Sequence, residues 1–198
     1  MSSSLNSRIV DLVAPGARTG ESHGQLEKTA KNEMPSGRRR LLLALAAAPF
    51  AAFANTDPTA GLKRWGNGEF RRFGFLVYEA TLWAGDDPQR PPLALRLDYK
   101  RTIAGAAIAE ASVKEMRGLG ADEASLLRWG ERMTRLFPDV KAGDFIVGEY
   151  APSVARFYFN GRLLGEVADG DFARAFFGIW LDAKTSAPGL RAALLRRS

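Results

Sequence analysis

A chain of 198 residues with a formal net charge of +6 is long enough to bury one sizeable core, and the distribution of its charges argues against a nucleic-acid partner. The first 54 residues hold 7 Lys/Arg against 4 Asp/Glu, leaving 21 against 18 with the signs interspersed; that is a mixed, solvated surface, with neither a basic stripe nor a nucleic-acid-binding motif. Cysteine is absent and the one histidine is His23, so everything after residue 54 lacks a disulfide, a thiolate, a Ser-His-Asp triad and a His-Glu-x-x-His zinc site. Chemistry there is left to Arg, Lys, Tyr, Asp, Glu, Ser or Thr, with no cofactor or metal expected.

Residues 1–33 are polar and lack sustained apolar periodicity, which reads as a disordered extension or as sequence upstream of the true start. Residues 34–54 have the form of an export signal. Met34 is a plausible initiator, Arg38-Arg39-Arg40 are a charged leader, Leu41 to Phe53 an apolar stretch, and Ala52-Phe53-Ala54 a cleavage site before Asn55. The apolar stretch is short for a bilayer span, so no integral membrane segment is expected after cleavage. The paired arginines also faintly resemble a twin-arginine signal. Residues 55–198 then form one domain, exported to the periplasm.

The organising stretch of that domain is Gly68 to Trp83. Phe75 to Trp83 alternates as a strand, with Leu76, Tyr78, Ala80 and Leu82 on one side. Gly74 marks a bend, a bulge or a close backbone approach. Arg71 and Arg72 stand just before it, so cations and a tyrosine hydroxyl lie on the most apolar strand. That is how a greasy pocket with a few placed polar groups is built. Gly85 to Pro92 is a loop, and Leu93 to Arg101 returns as a strand with Leu93, Leu95, Leu97 and Tyr99 on one face. Two helices follow. Ala106 to Leu119 carries a stripe through Ile108, Ser112, Glu115 and Met116; Glu123 to Phe137, capped by Asp122, carries Leu126, Leu127, Trp129 and Met133. Asp144 to Tyr150 is a strand. Ala155–Phe159 and Arg162–Val167 form a hairpin whose Asn160-Gly161 suits a type I′ turn. Asp169 or Asp171 caps a helix through Trp180, and Ser186 caps a last one with Pro188 near its start. Strands, two helices, strands and terminal helices give an α+β domain: a mainly antiparallel sheet with helices packed on one face.

Several blocks in this order resemble a known family. They are Val77-Tyr78-Glu79-Ala80-Thr81-Leu82-Trp83, Leu97-Asp98-Tyr99-Lys100-Arg101, Ile108-Ala109-Glu110-Ala111-Ser112, Phe137 to Asp144, Phe157 to Glu166 and Phe176 to Asp182. The ordered set is similar to the bacterial exported branch of the chalcone isomerase-like family, over about Leu62 to Leu195. The resemblance implies the chalcone isomerase fold, with a ligand cleft between a large sheet and its helices. In the plant enzymes an early arginine binds the flavonoid phenolate, aided by a threonine, a tyrosine and an asparagine; in non-catalytic relatives an Arg/Tyr pair holds a fatty-acid carboxylate. Carried over, the arginine falls on Arg71 or Arg72 and the threonine on Tyr78. In one continuous strand Arg72 shares the Tyr78 face, and Arg71 joins it only if Gly74 makes a bulge or turn; the block resemblance favours Arg71, which is therefore the first candidate. The tyrosine falls on Ile108 and the asparagine near Glu115, both departures from the isomerase pattern.

Three functions are thus in play. One is an exported, non-catalytic protein binding a fatty acid or similar amphipathic acid through Arg71 or Arg72, Tyr78, Ile108, Ser112 and Glu115. Another is an isomerase or intramolecular lyase in which the arginine stabilises an oxyanion, Tyr78 relays a proton, and Glu115, Lys100 or the substrate's own phenolate is the base. The third is a structural or interaction protein with a vestigial cleft.

Overall fold

Alternating apolar residues and three tight turns lay the strands down in chain order. The computed structural model describes residues 57–196; the readings of residues 1–33 and 34–54 lie outside the described residues. The elements are β1 (Lys63–Arg72), β2 (Phe75–Ala84), β3 (Leu93–Tyr99), α1 (Gly105–Gly118), α2 (Glu123–Leu136), β4 (Phe145–Ala151), β5 (Val154–Phe159), β6 (Arg162–Val167), α3 (Gly170–Leu181) and α4 (Pro188–Leu194). The strands make one six-stranded sheet in the order β1 to β6, and every neighbouring pair is antiparallel. The expected α+β architecture is therefore the one observed. β1 is the addition: its sequence, Lys-Arg-Trp-Gly-Asn-Gly-Glu-Phe-Arg-Arg, has no apolar alternation to announce a strand of its own.

One sheet face is apolar and covered. Ala80 and Leu82 of β2, Leu93, Leu95, Leu97 and Tyr99 of β3, Ile146 of β4 and Phe157 of β5 pack in one core with Met116 of α1, Leu126, Trp129 and Met133 of α2, Phe172, Phe176, Phe177 and Trp180 of α3 and Leu194 of α4. The opposite face carries ion pairs, Arg96 with Asp98 and Arg156 with both Glu149 and Glu166. A small apolar cluster of Ala94, Val147 and Tyr158 sits among them. Leu127, expected on the apolar side of α2, is instead exposed; the buried stripe runs through Leu126, Trp129 and Met133, and Leu127 lies about 100° around the helix from Leu126.

Carboxylates set the starts of α1, α2 and α3. Asp122 accepts from the Ser125 amide at 2.9 Å, and Asp169 accepts from the amides of Asp171 and Phe172. The Gly105 amide at the start of α1 donates to Asp139 Oδ1 at 2.8 Å, a cap supplied from across the α2–β4 connection. Ser186 does not cap α4 as expected. The N-cap is Ala187, with Pro188 in the first turn; Thr185 Oγ1 accepts the Ala187 amide at 3.2 Å, while Ser186 turns towards α1.

The two glycines of β1 let α4 lie directly on the strand. A Cβ at Gly66 would stand 2.3 Å from the Ala193 carbonyl oxygen, and one at Gly68 would stand 2.8 Å from the Ala193 Cβ. Backbone atoms cannot yield to such an intrusion without moving the helix. Gly66→Ala is expected to lower unfolding stability by about 1–3 kcal/mol in chemical denaturation, whereas Gly85→Ala, with nothing within 4 Å of the added carbon, stays within about 0.5 kcal/mol of wild type.

Candidate functional site

Where the two arginines point is decided by a turn and a bulge together. Phe73 (φ 49°) and Gly74 (φ 81°) both have positive φ and join β1 to β2 as a two-residue type I′ turn. Such a turn alone would pair Arg72 with Phe75, Arg71 with Leu76, and Glu69 with Tyr78, putting Arg71 on the Tyr78 face. The observed register instead steps from Arg71↔Leu76 to Phe70↔Tyr78, so Val77 is the extra residue of a β-bulge. Phe70 therefore lies beside Tyr78, their rings stacked at 5.0 Å and 15°. Arg72, two residues on, shares the side of Phe70; Arg71 takes the other. A turn at Gly74 is present, yet the bulge gives the helix-covered side to Arg72.

The surroundings match. Arg71 is exposed, donating to Glu69 at 2.8 Å and to the Gly74 carbonyl at 3.4 Å. Arg72 is half-buried, with its Nε withdrawn from solvent and its guanidinium 5.4 Å from the Phe73 ring centre.

Tyr78 is the polar centre of the interior. It pairs with Tyr99 across β2 and β3, their rings edge to face at 6.1 Å. Its hydroxyl accepts from the Trp180 indole N–H of α3 at 3.0 Å, leaving its own hydrogen available to donate. Burial pushes the Tyr78 hydroxyl well above the usual tyrosine range; the Trp180 hydrogen bond offsets part of that, and the negative charge of Glu115 adds to it. Tyr99 is raised likewise, chiefly by burial and further by Tyr78. Both are neutral phenols at any physiological pH.

The α1 residues divide. Ile108 is half-buried and packs against the core. Ser112 is buried, but its hydroxyl donates to the Ile108 carbonyl at 2.9 Å, back-bonding within its own helix. Glu115 is half-buried and accepts from Ser186 Oγ at 2.6 Å, joining α1 to the α3–α4 connection. Lys100 lies away from the site: it pairs with Glu79 at 2.9 Å, and Glu79 is opposite Asp98 on the ion-paired face. Between sheet and helices the side chains pack closely, with Phe157, Phe172 and Phe177 fully buried. A small pocket of about 20 Å³ lies between β3, β4, β5 and α3, lined by Leu95, Phe157, Phe176, Phe177 and Trp180. A broader open groove of about 650 Å³ runs between α1 and α2, past Val113, Leu126, Leu127 and Gly130, and none of the expected site residues lines it. Among the described residues no group of three or more His, Cys, Asp or Glu gathers as a metal site.

Sequence reasoning missed three participants: Phe70, Trp180 and Ser186. Trp180 lies 102 residues from Tyr78; the need of a buried indole N–H for an acceptor was the available signal, without any pointer to which one.

A meander of six antiparallel strands with helices on one face, organised about a buried tyrosine at the β2–β3 pair, defines a chalcone isomerase-like fold. Residues 70–196 match the chalcone isomerase-like family model, and the chain belongs to that family. No curated protein matches it in sequence. Among solved structures it is similar to a fatty-acid binding protein of Arabidopsis thaliana, with a TM-score of 0.54 at 13% identity, covering 69% of this chain and 87% of that one.

Tyr78→Phe removes the acceptor from the Trp180 N–H and is expected to lower stability by about 1–3 kcal/mol at neutral pH. Because folding raises the tyrosine pKa, the stability tied to Tyr78 and Tyr99 is full below the ordinary value of 10.0 and is lost as pH rises beyond it. Denaturant midpoints should therefore fall above pH 10 in wild type and fall less steeply in Tyr78→Phe.

Proposed function

We propose that this protein binds a fatty acid or a similar amphipathic acid, in the periplasm of a bacterium, after export on the signal at residues 34–54. The observation that carries the reading is the position of Arg72: on the Tyr78 side of the sheet and half-buried. A guanidinium there, with a neutral phenol that still has a hydrogen to donate, makes charge-assisted contacts to a carboxylate worth more than they would be in water. The similarity to the Arabidopsis fatty-acid binding protein supports the same ligand class. Of the two candidate arginines, Arg72 is the one we assign to the carboxylate.

The tail has to make its own room. Its place is between sheet and α3, where the pocket is small, so binding displaces α3 or its rings. Burial of the tail contributes about 0.8 kcal/mol per CH₂ towards that opening. The filled interior is also what favours a second reading, a structural protein whose cleft is closed for good. The isomerase reading draws less support, with Ile108 in place of the tyrosine, Glu115 held by Ser186 and Lys100 on the other face.

Native mass spectrometry on the chain purified from a bacterial envelope, followed by denaturation, tests the proposal. An amphipathic acid should be released, and its affinity should fall roughly thirtyfold or more in Arg72→Ala and little in Arg71→Ala. An empty protein that also ignores a panel of fatty acids would leave the closed-cleft reading. The mature N-terminus should be Asn55; an intact residue 41–53 segment in the envelope fraction overturns export by cleavage.

A further inference from the structure

Two of the three tight hairpins of the sheet, β1–β2 and β5–β6, have the same backbone and different chemistry. The β5–β6 turn is Asn160 (φ 49°) and Gly161 (φ 83°); the β1–β2 turn is Phe73 (φ 49°) and Gly74 (φ 81°). Asparagine is among the residues that tolerate the left-handed region, whereas a bulky aromatic there is an outlier. Phe73 gains no packing in return, since it is 61% exposed and Phe75, just past the turn, is 59% exposed. Each ring carries a guanidinium: Arg72 lies 5.4 Å from the Phe73 ring centre and Arg101 lies 4.5 Å from that of Phe75. Arg71 and Lys100 stand beside them. Their carboxylate partners Glu69 and Glu79 leave four cations against two anions across residues 69–79 and 100–101.

We propose that the β1–β2 hairpin tip docks on an anionic lipid surface, with Phe73 and Phe75 entering the headgroup boundary and the surrounding Arg and Lys at the lipid phosphates. Exposed aromatic residues ringed by cations are the interfacial-binding chemistry, and each basic side chain near such a surface strengthens it. A protein partner fits less well. Two phenylalanine side chains cover a few hundred Å², short of the roughly 1,200 Å² of a stable interface, whereas insertion into a lipid boundary needs only the tip. The same tip bears Arg72, so docking would bring the polar end of the interior to the membrane. The proposal stands whether or not the interior takes an acid.

The test uses the full chain and empty vesicles, so its outcome is independent of ligand binding. The apolar residues 41–53 are common to every variant, and differences therefore report the hairpin. Flotation with vesicles of phosphatidylglycerol and phosphatidylcholine should recover wild type, and partitioning should fall roughly tenfold or more in the doubly substituted Phe73→Asn, Phe75→Thr. In Arg101→Gln it should fall roughly fivefold. Phe73→Asn installs the residue that already serves the other hairpin, so folding is expected to survive it; thermal unfolding checks this. Because the chain has no cysteine, Phe75→Cys and Arg90→Cys each carry one environment-sensitive dye. The dye at 75 should shift to the blue on anionic vesicles and less on phosphatidylcholine alone, and the dye at 90, at the far end of β2, should not. Equal responses at the two positions, unchanged flotation of the hairpin variants, or a concentration-dependent dimer that Phe73→Asn abolishes would overturn the proposal.

Discussion

The bulge at Val77 is the constraint on which the rest of the interior depends. With a two-residue turn and no bulge, Glu69 would stand opposite Tyr78 and a carboxylate would be pressed against buried rings, where desolvation penalises it heavily. The extra residue shifts the register, so that Phe70 meets Tyr78 instead. Tyr78 is then held on three sides, by Phe70 on β1, Tyr99 on β3 and the Trp180 N–H of α3. The edge hairpin, the sheet and the helical layer meet at one phenol. The same shift turns Arg72 inward and leaves Arg71 to Glu69.

Around that centre the helices close the interior by two different means. α4 lies backbone to backbone against β1 at Gly66 and presses its Ala193 and Leu190 side chains onto Gly68, which leaves little freedom for either. α3 is held to the sheet by rings: Phe176 lies 5.0 Å and Phe172 6.2 Å from Phe157 of β5, both in edge-on arrangements. Ring contacts can be exchanged for contacts with an alkyl chain at modest loss, whereas backbone contacts have no substitute. If the interior opens, it opens at α3.

Much of this was legible in the sequence, for reasons that differ by element. β2 and β3 alternate cleanly because one face is buried and the other is not, and Asn160-Gly161 named its own turn. Asp122 announced α2 by its place before an apolar stripe. β1 was illegible because its inward positions are Gly66, Gly68, Phe70 and Arg72: the glycines answer to α4, and the arginine to the tip, so the pattern is not apolar. Gly74 offered a turn, but its partner Phe73 could not be read, because phenylalanine is not a turn former. The bulge followed no local signal, and with it went the choice between Arg71 and Arg72. Ser186 looked like a cap on spacing alone; its hydroxyl went to Glu115, a partner brought near only by the packing of α1 beside α3.

The order of the sheet also divides the chain by how far each pairing must reach. Every strand lies next to its neighbour in sequence, so β1–β2–β3 and β4–β5–β6 are each built from hairpins or short connections that close locally. The seam between β3 and β4 alone spans residues 100–144, and α1 and α2 occupy that interval. A meander half has few long loops to close, whereas the seam carries the entropy of the longest one. Pre-forming the α1–α2 pair shortens that span, and the Ile103–Val140 bridge at its base lies where the two halves must be drawn together. Assembly of the sheet is therefore a joining of two local halves, with the helical pair as the clasp.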